Sequence, residues 1–180
     1  DQLKRKAQQG VRVYVLFDEL GSMELSPAWI AEIRSAGIQM IPFNTRRGSR
    51  NRFQLNFRNH RKIVVVDGKS AWLGGLNVGD DYVGLDPKLT PWRDTHVRVD
   101  GPAAMMAQAV FLPDWHWAGR ELIEGLRWAP AKPGTLDGPG EQVLVLQCGP
   151  ADDHETASLF FTQAINLAEQ RIWIATPYFI

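Results

Sequence analysis

Asn59-His60-Arg61-Lys62-Ile63-Val64-Val65-Val66-Asp67-Gly68-Lys69-Ser70-Ala71-Trp72-Leu73-Gly74-Gly75-Leu76-Asn77 decides how the rest of this chain is read. Two apolar, β-branched or aromatic runs flank Asp67-Gly68, a pair that favours the positive φ angles of a tight hairpin turn. The stretch therefore predicts a β-hairpin. In an extended strand, residues two apart share a face, so His60 and Lys62 point the same way. If Gly68-Lys69 form the loop, His60 lies opposite Asn77; if Asp67-Gly68 form it, His60 lies opposite Gly75. Either register puts Gly75 and Asn77 on the face of His60 and Lys62. An imidazole, an ammonium and a carboxamide then converge over a glycine floor, which suits an oxyanion such as phosphate. Asp67 has the opposite parity and is expected to cap the turn.

Upstream, the pattern is βαβ. Residues 1–9 read as the end of a helix closed by Gly10, and Val11–Phe17 as a strand ending at Asp18. Ser26-Pro27 supplies an N-cap and an N1 proline for a helix that stops at Gly37. Ile38–Phe43 is the next strand, expected to run parallel to the first. Downstream, Thr95–Val99 reads as a strand and Pro102–Ala118 as a helix, in which Trp115 and Trp117 are expected to pack in the core. The Pro- and Gly-rich residues 127–142 read as a linker. Val143–Leu146 and Arg171–Thr176 are expected strands around a helix over Asp152–Gln170. The fold class is thus α/β, a mixed and mostly parallel sheet flanked by helices. One unit covers 1–149, and a second begins at 150 and stops early.

Bulk properties narrow the setting without naming a partner. The 180 residues are 44% hydrophobic and 22% charged, and 20 basic residues balance 20 acidic ones, so net charge announces neither nucleic acid nor membrane. Cys148 is the single cysteine, so no intrachain disulfide or cysteine-based metal site can form. No apolar run approaches the roughly 20 residues of a membrane-spanning helix. The chain starts at Asp1 and stops at Ile180 within an apolar segment, which reads as a piece of a longer protein. The local charge pattern is more telling. Arg46, Arg47, Arg50, Arg52, Arg58, Arg61 and Lys62 occur with Phe53 and Phe57 and without a carboxylate between 46 and 62. Such a segment suits anionic headgroups at a bilayer surface, and equally the phosphates of a nucleic acid.

His60-x-Lys62-x4-Asp67-x6-Gly74-Gly75-x-Asn77 resembles the His-x-Lys-x4-Asp signature of the phospholipase D superfamily, here in strand–turn–strand context. Pro91-Trp92-Arg93-Asp94-Thr95-His96 and Thr176-Pro177-Tyr178-Phe179 extend the resemblance to bacterial cardiolipin synthases. That resemblance implies two such motifs, one from each half of a pseudo-symmetric unit, sharing one active site. It makes His60 the expected nucleophile, forming a phosphohistidine; Lys62 and Asn77 would bind phosphoryl oxygens, and Asp67 completes the catalytic signature. Asp94 is expected to hold the second nitrogen of His60, as a triad requires. No cofactor or metal is implied. His96, His116 and His154 are followed two residues later by Arg98, Ala118 and Thr156, so none begins a second motif; the partner half is expected from the same chain. The implied reaction is phosphatidyl transfer between two phosphatidylglycerol molecules, giving cardiolipin and glycerol. A phospholipase or nuclease using water, or a half-domain that only binds phosphate or membrane, are the alternatives. The expected setting is the bacterial inner membrane, with anchoring segments outside these residues, an anionic phospholipid as partner and no nucleic acid.

Overall fold

The computed structural model describes residues 1–43, 58–128, 140–149 and 154–176. It divides into two compact units, 1–145 and 146–180. The first unit begins with α1 (Gln2–Gln8), β1 (Tyr14–Asp18), α2 (Pro27–Ser35) and β2 (Gln39–Phe43). Gly10, at φ 87°, ends α1: its N–H bonds the Ala7 carbonyl at 2.9 Å while Val11 N–H bonds that of Lys6 at 3.0 Å. These two bonds form a Schellman closure, which glycine allows without steric cost. Ser26 caps α2 by accepting the Trp29 N–H, with Pro27 opening the helix. β1 and β2 pair in parallel, Tyr14 opposite Gln39 through Asp18 opposite Phe43, as the βαβ pattern predicts. Ile33, Ile38 and Met40 form the buried centre here, with Val13, Val15 and Phe17 packed around them.

The remaining strands correct the expectation of a mostly parallel sheet. β3 (Ile63–Val66), β4 (Ser70–Gly74) and β5 (His96–Asp100) form a separate three-stranded sheet in the order β3-β4-β5, antiparallel throughout. A tight turn can only join antiparallel neighbours, and the long connection from 75 to 95 returns β5 antiparallel as well. A short 3₁₀ turn, Asp80–Val83, lies within that connection. The protein is therefore mixed α/β, with two small sheets among the described residues.

α3 (Pro102–Gly119) joins the two sheets. Ala104 and Ala107 near its start are fully buried against Ala71, with Ile63, Val65, Leu73 and Val99 around them. Small residues on the helix let its axis approach the sheet closely. Near its end, Trp115 is 2% exposed and meets the Tyr14 ring edge-on at 5.3 Å, while Trp117 stacks on Phe43 at 4.5 Å. Trp115 thus has the core role expected of it.

In the second unit, α4 (Thr156–Asn166) is shorter than the helix expected over 152–170, of which 152–153 lie outside the described residues. The expected strands Val143–Leu146 and Arg171–Thr176 are not strands in the structure. A strand exists only when a neighbour takes its backbone N–H and C=O groups, and neither segment has such a ladder among the described residues.

Candidate active site

The segment that delivers His60 to the sheet is held on three sides. Arg58 Nη2 pairs with Asp18 Oδ1 at 3.1 Å, at the carboxyl end of β1. Asn59 Nδ2 donates to Asp114 Oδ2 at 2.9 Å. Arg61 Nη1 donates to both Asp114 oxygens, at 2.9 and 2.7 Å, and the Arg61 N–H bonds back to Asn59 Oδ1 at 3.0 Å. Asn59 and Arg61 thereby turn towards α3, on the side where Ile63 and Val65 pack against it. Along β3 the other side carries Val64 and Val66, which are 56% and 46% exposed, and the same alternation extended back past Ile63 puts His60 and Lys62 with them. His60 itself is exposed.

Electrostatics single out Lys62. Two of the cations around His60 are matched by carboxylates, Arg58 by Asp18 and Arg61 by Asp114. Lys62 Nζ donates to the His60 carbonyl at 2.8 Å and has no carboxylate partner among the described residues. Its charge remains available to an anion beside His60. Arg58, by contrast, is turned to Asp18 rather than left open for a headgroup as expected. Arg46, Arg47, Arg50 and Arg52 lie outside the described residues.

The hairpin register differs from both expected alternatives. Ile63 pairs with Leu73 and Val66 with Ser70, leaving three residues, Asp67-Gly68-Lys69, in the loop. Asp67 and Gly68 sit at φ 54° and 63°, and the Lys69 N–H bonds the Val66 carbonyl at 3.0 Å. This is the backbone of a type I′ turn with Lys69 inserted beyond it as an extra residue. Continued one pair further, the register sets Lys62 opposite Gly74, so hairpin parity no longer places Gly75 and Asn77 on the His60 face. Asp67 is exposed at the turn, and no hydrogen bond reaches its carboxylate among the described residues, so its turn role is carried by its backbone.

Gly74 and Gly75 also have a different task from a bare floor for a ligand. A Cβ on Gly75 would run into the Asp94 carboxylate, and one on Gly74 into the His96 ring. The paired glycines make room for two side chains leaning over from the start of β5. Asp94 Oδ1 accepts the Thr95 N–H at 2.7 Å and Asp94 Oδ2 accepts Trp92 Nε1–H at 3.2 Å. No hydrogen bond joins Asp94 to His60, so the expected orienting contact is not made. Asn77 Nδ2 donates to the Tyr82 hydroxyl at 2.6 Å, and the Tyr82 ring packs edge-on to Trp92 at 4.6 Å. Asn77, Tyr82, Trp92 and Asp94 thus form one connected chain of contacts beside the glycines. His96 Nδ1 is buried behind Gly74 without a hydrogen-bond partner among the described residues.

The structure joins His60 and Lys62 through the Lys62 Nζ bond to the His60 carbonyl, and links Asn77 to Asp94 through the Tyr82–Trp92 contact. Sequence reasoning missed Asn59, Arg61 and Asp114 as the supports of His60. A signal was present: α3 holds one residue of the Asp, Glu, Lys and Arg types, and it is Asp114. A lone carboxylate in an apolar helix calls for a partner. Among the described residues, no three His, Cys, Asp or Glu side chains gather as a metal site would need.

No protein-family model matches the chain. Cardiolipin synthase A of Pseudomonas syringae pv. syringae (strain B728a) is 51% identical to it over 178 residues, 99% of this chain and 36% of that protein. Cardiolipin synthase A of Pseudomonas fluorescens (strain SBW25) is 50% identical over the same shares. That of Pseudomonas putida (strain W619) is also 50% identical, again over 99% of this chain and 36% of the relative. The chain therefore spans about a third of the length of these curated relatives, and across that span it is similar to proteins named cardiolipin synthase A.

Proposed function

We propose that this chain supplies the nucleophilic half of an enzyme that transfers a phosphatidyl group between two phosphatidylglycerol molecules. The observation that carries the reading is the identity of about half the residues with cardiolipin synthases along 99% of the chain, with the His60-x-Lys62 pair intact and His60 exposed. In this reading an imidazole nitrogen of His60 attacks phosphorus and the bond to the glycerol oxygen breaks. The departing alkoxide takes a proton from a histidine of a second motif-bearing half, which belongs to the same protein and forms a pseudo-symmetric unit with this one. The hydroxyl of a second phosphatidylglycerol, deprotonated by that histidine, then attacks the phosphohistidine and releases His60. Products are cardiolipin and glycerol.

Lys62 supports the phosphoryl oxygens electrostatically, its charge unmatched by a carboxylate among the described residues. Asn77 becomes a second donor if it exchanges Tyr82 for substrate, and Asp94 reaches His60 only if it gives up Trp92. Asp67 sets the turn that fixes the end of the motif strand. The arginines at 46, 47, 50 and 52 meet anionic headgroups at the surface of the bacterial inner membrane, each cation contributing on the order of 1 kcal/mol. No helix among the described residues is long and apolar enough to cross a membrane, so in this reading segments outside these residues hold the protein there.

The test is turnover by the full-length protein in phosphatidylglycerol vesicles. Cardiolipin and free glycerol should appear in equal amounts, and His60→Ala should abolish both. Phosphatidic acid as the product would make the enzyme a hydrolase, and DNA cleavage without lipid turnover would make it a nuclease. Binding without turnover would leave a lipid-binding module.

A further inference from the structure

Asp114 lies on α3, two turns beyond the alanines that seat the helix on the sheet, and its side chain is 13% exposed. It is the common acceptor for the residues on either side of His60. Asn59 reaches one oxygen and Arg61 both, while Asn59 Oδ1 receives the Arg61 N–H. Three hydrogen bonds thus close on a single carboxylate, a fourth ties the two donors together, and His60 is left between two tethered neighbours. The chain at 59–61 lies before the first paired residue of β3, Ile63. Among the described residues no strand ladder fixes its rotation; the side-chain bonds to Asp114 do.

We propose that Asp114 is a positioning residue for the reaction, acting through Asn59 and Arg61 to hold His60 and Lys62 on the outward face. The proposal rests on His60 being the nucleophile. A charge-assisted bond from a planar guanidinium to both carboxylate oxygens restricts direction as well as distance. A nucleophile displaced by about 1 Å loses on the order of a hundredfold in rate. The carboxylate never touches substrate; without it, residues 59–62 can rotate and the imidazole samples directions away from phosphorus.

The test uses the full-length protein and two readouts. In Asp114→Ala, amide hydrogen exchange over 58–62 should speed up about tenfold or more, with the melting temperature changed by only a few degrees. In the same variant, kcat for cardiolipin formation from phosphatidylglycerol should fall about ten- to a hundredfold, with KM within about twofold. The exchanged pair Arg61→Asp with Asp114→Arg should recover part of both losses, since the ion pair is rebuilt with its ends swapped. Unchanged exchange over 58–62 overturns the proposal, and so does faster exchange with kcat intact. If the unsubstituted protein turns over no lipid at all, the transferase reading falls, while local exchange still decides whether Asp114 clamps the segment.

Discussion

Gly74 and Gly75 show how residue identity is set by what leans on a backbone rather than by what the backbone itself does. Neither has a positive φ. Their side of the strand is occupied by His96 and Asp94, and the position a Cβ would take on Gly74 also lies 2.6 Å from the Thr95 carbonyl oxygen. A backbone atom cannot swing aside as a side-chain tip can. Gly74→Ala should therefore destabilise the protein by about 1–3 kcal/mol, the usual cost of overpacking. The midpoint of denaturant unfolding checks it, and a midpoint equal to wild type would show that β5 is free to move away. At this scale the motif is legible in the sequence because each residue sits at a fixed spacing. The partners are not legible. Asp94, expected on His60, is found between Thr95 and Trp92; Asp114, fifty-odd positions downstream, meets Arg61 only because α3 crosses the sheet.

At the scale of elements, local signals speak directly and pairings do not. Gly10 closing α1 and Ser26-Pro27 opening α2 are contained within a few residues of chain, where sequence and geometry are closely linked. The hairpin is also evident from sequence, but its register is not. Whether Lys69 belongs to strand or loop is decided by β5, whose Gly101 N–H bonds the Lys69 carbonyl at 2.9 Å just beyond the strand's end. Where β4 meets β5 at this end of the sheet, Ser70 opposes Asp100. The Ser70 hydroxyl bonds the Asp100 carboxylate, and Arg98 pairs with the same group at 3.0 Å. Chiefly that hydroxyl, and then Arg98, hold the Asp100 carboxyl below its ordinary value of 3.8. A carboxyl whose folded value is lowered adds stability above its unfolded value, and that stability is lost as pH falls through the folded one. Melting temperature followed from about pH 5 down to about pH 2 should therefore decline less steeply in Ser70→Ala than in the unsubstituted protein. Parallel declines would remove Asp100 from the acid response.

At the scale of the whole molecule, α3 is the element on which site and core both depend. Its first half covers the antiparallel sheet through Ala104 and Ala107, and its last turns cover the parallel pair through Trp115 and Trp117. Asp114 falls between these two seats, next to the most deeply buried large side chain among the described residues apart from Ile38. Trp115 fills the space beside Tyr14 and Phe111, and a helix end seated by that ring should hold the neighbouring Asp114 carboxylate in place. Trp115→Ala should cost about 3–5 kcal/mol, typical of emptying a buried aromatic site. Trp115→Phe should cost less, since a ring still meets Tyr14. Coupling of core to site makes a further demand on the same pair of variants. Well below its own melting temperature, Trp115→Ala should also show faster amide exchange over 58–62, because a loosened end of α3 no longer fixes Asp114, whereas Trp115→Phe should leave that exchange near wild type. A stability loss in Trp115→Ala with the 58–62 segment unaffected would mean that Asp114 is placed by the sheet side of the helix alone.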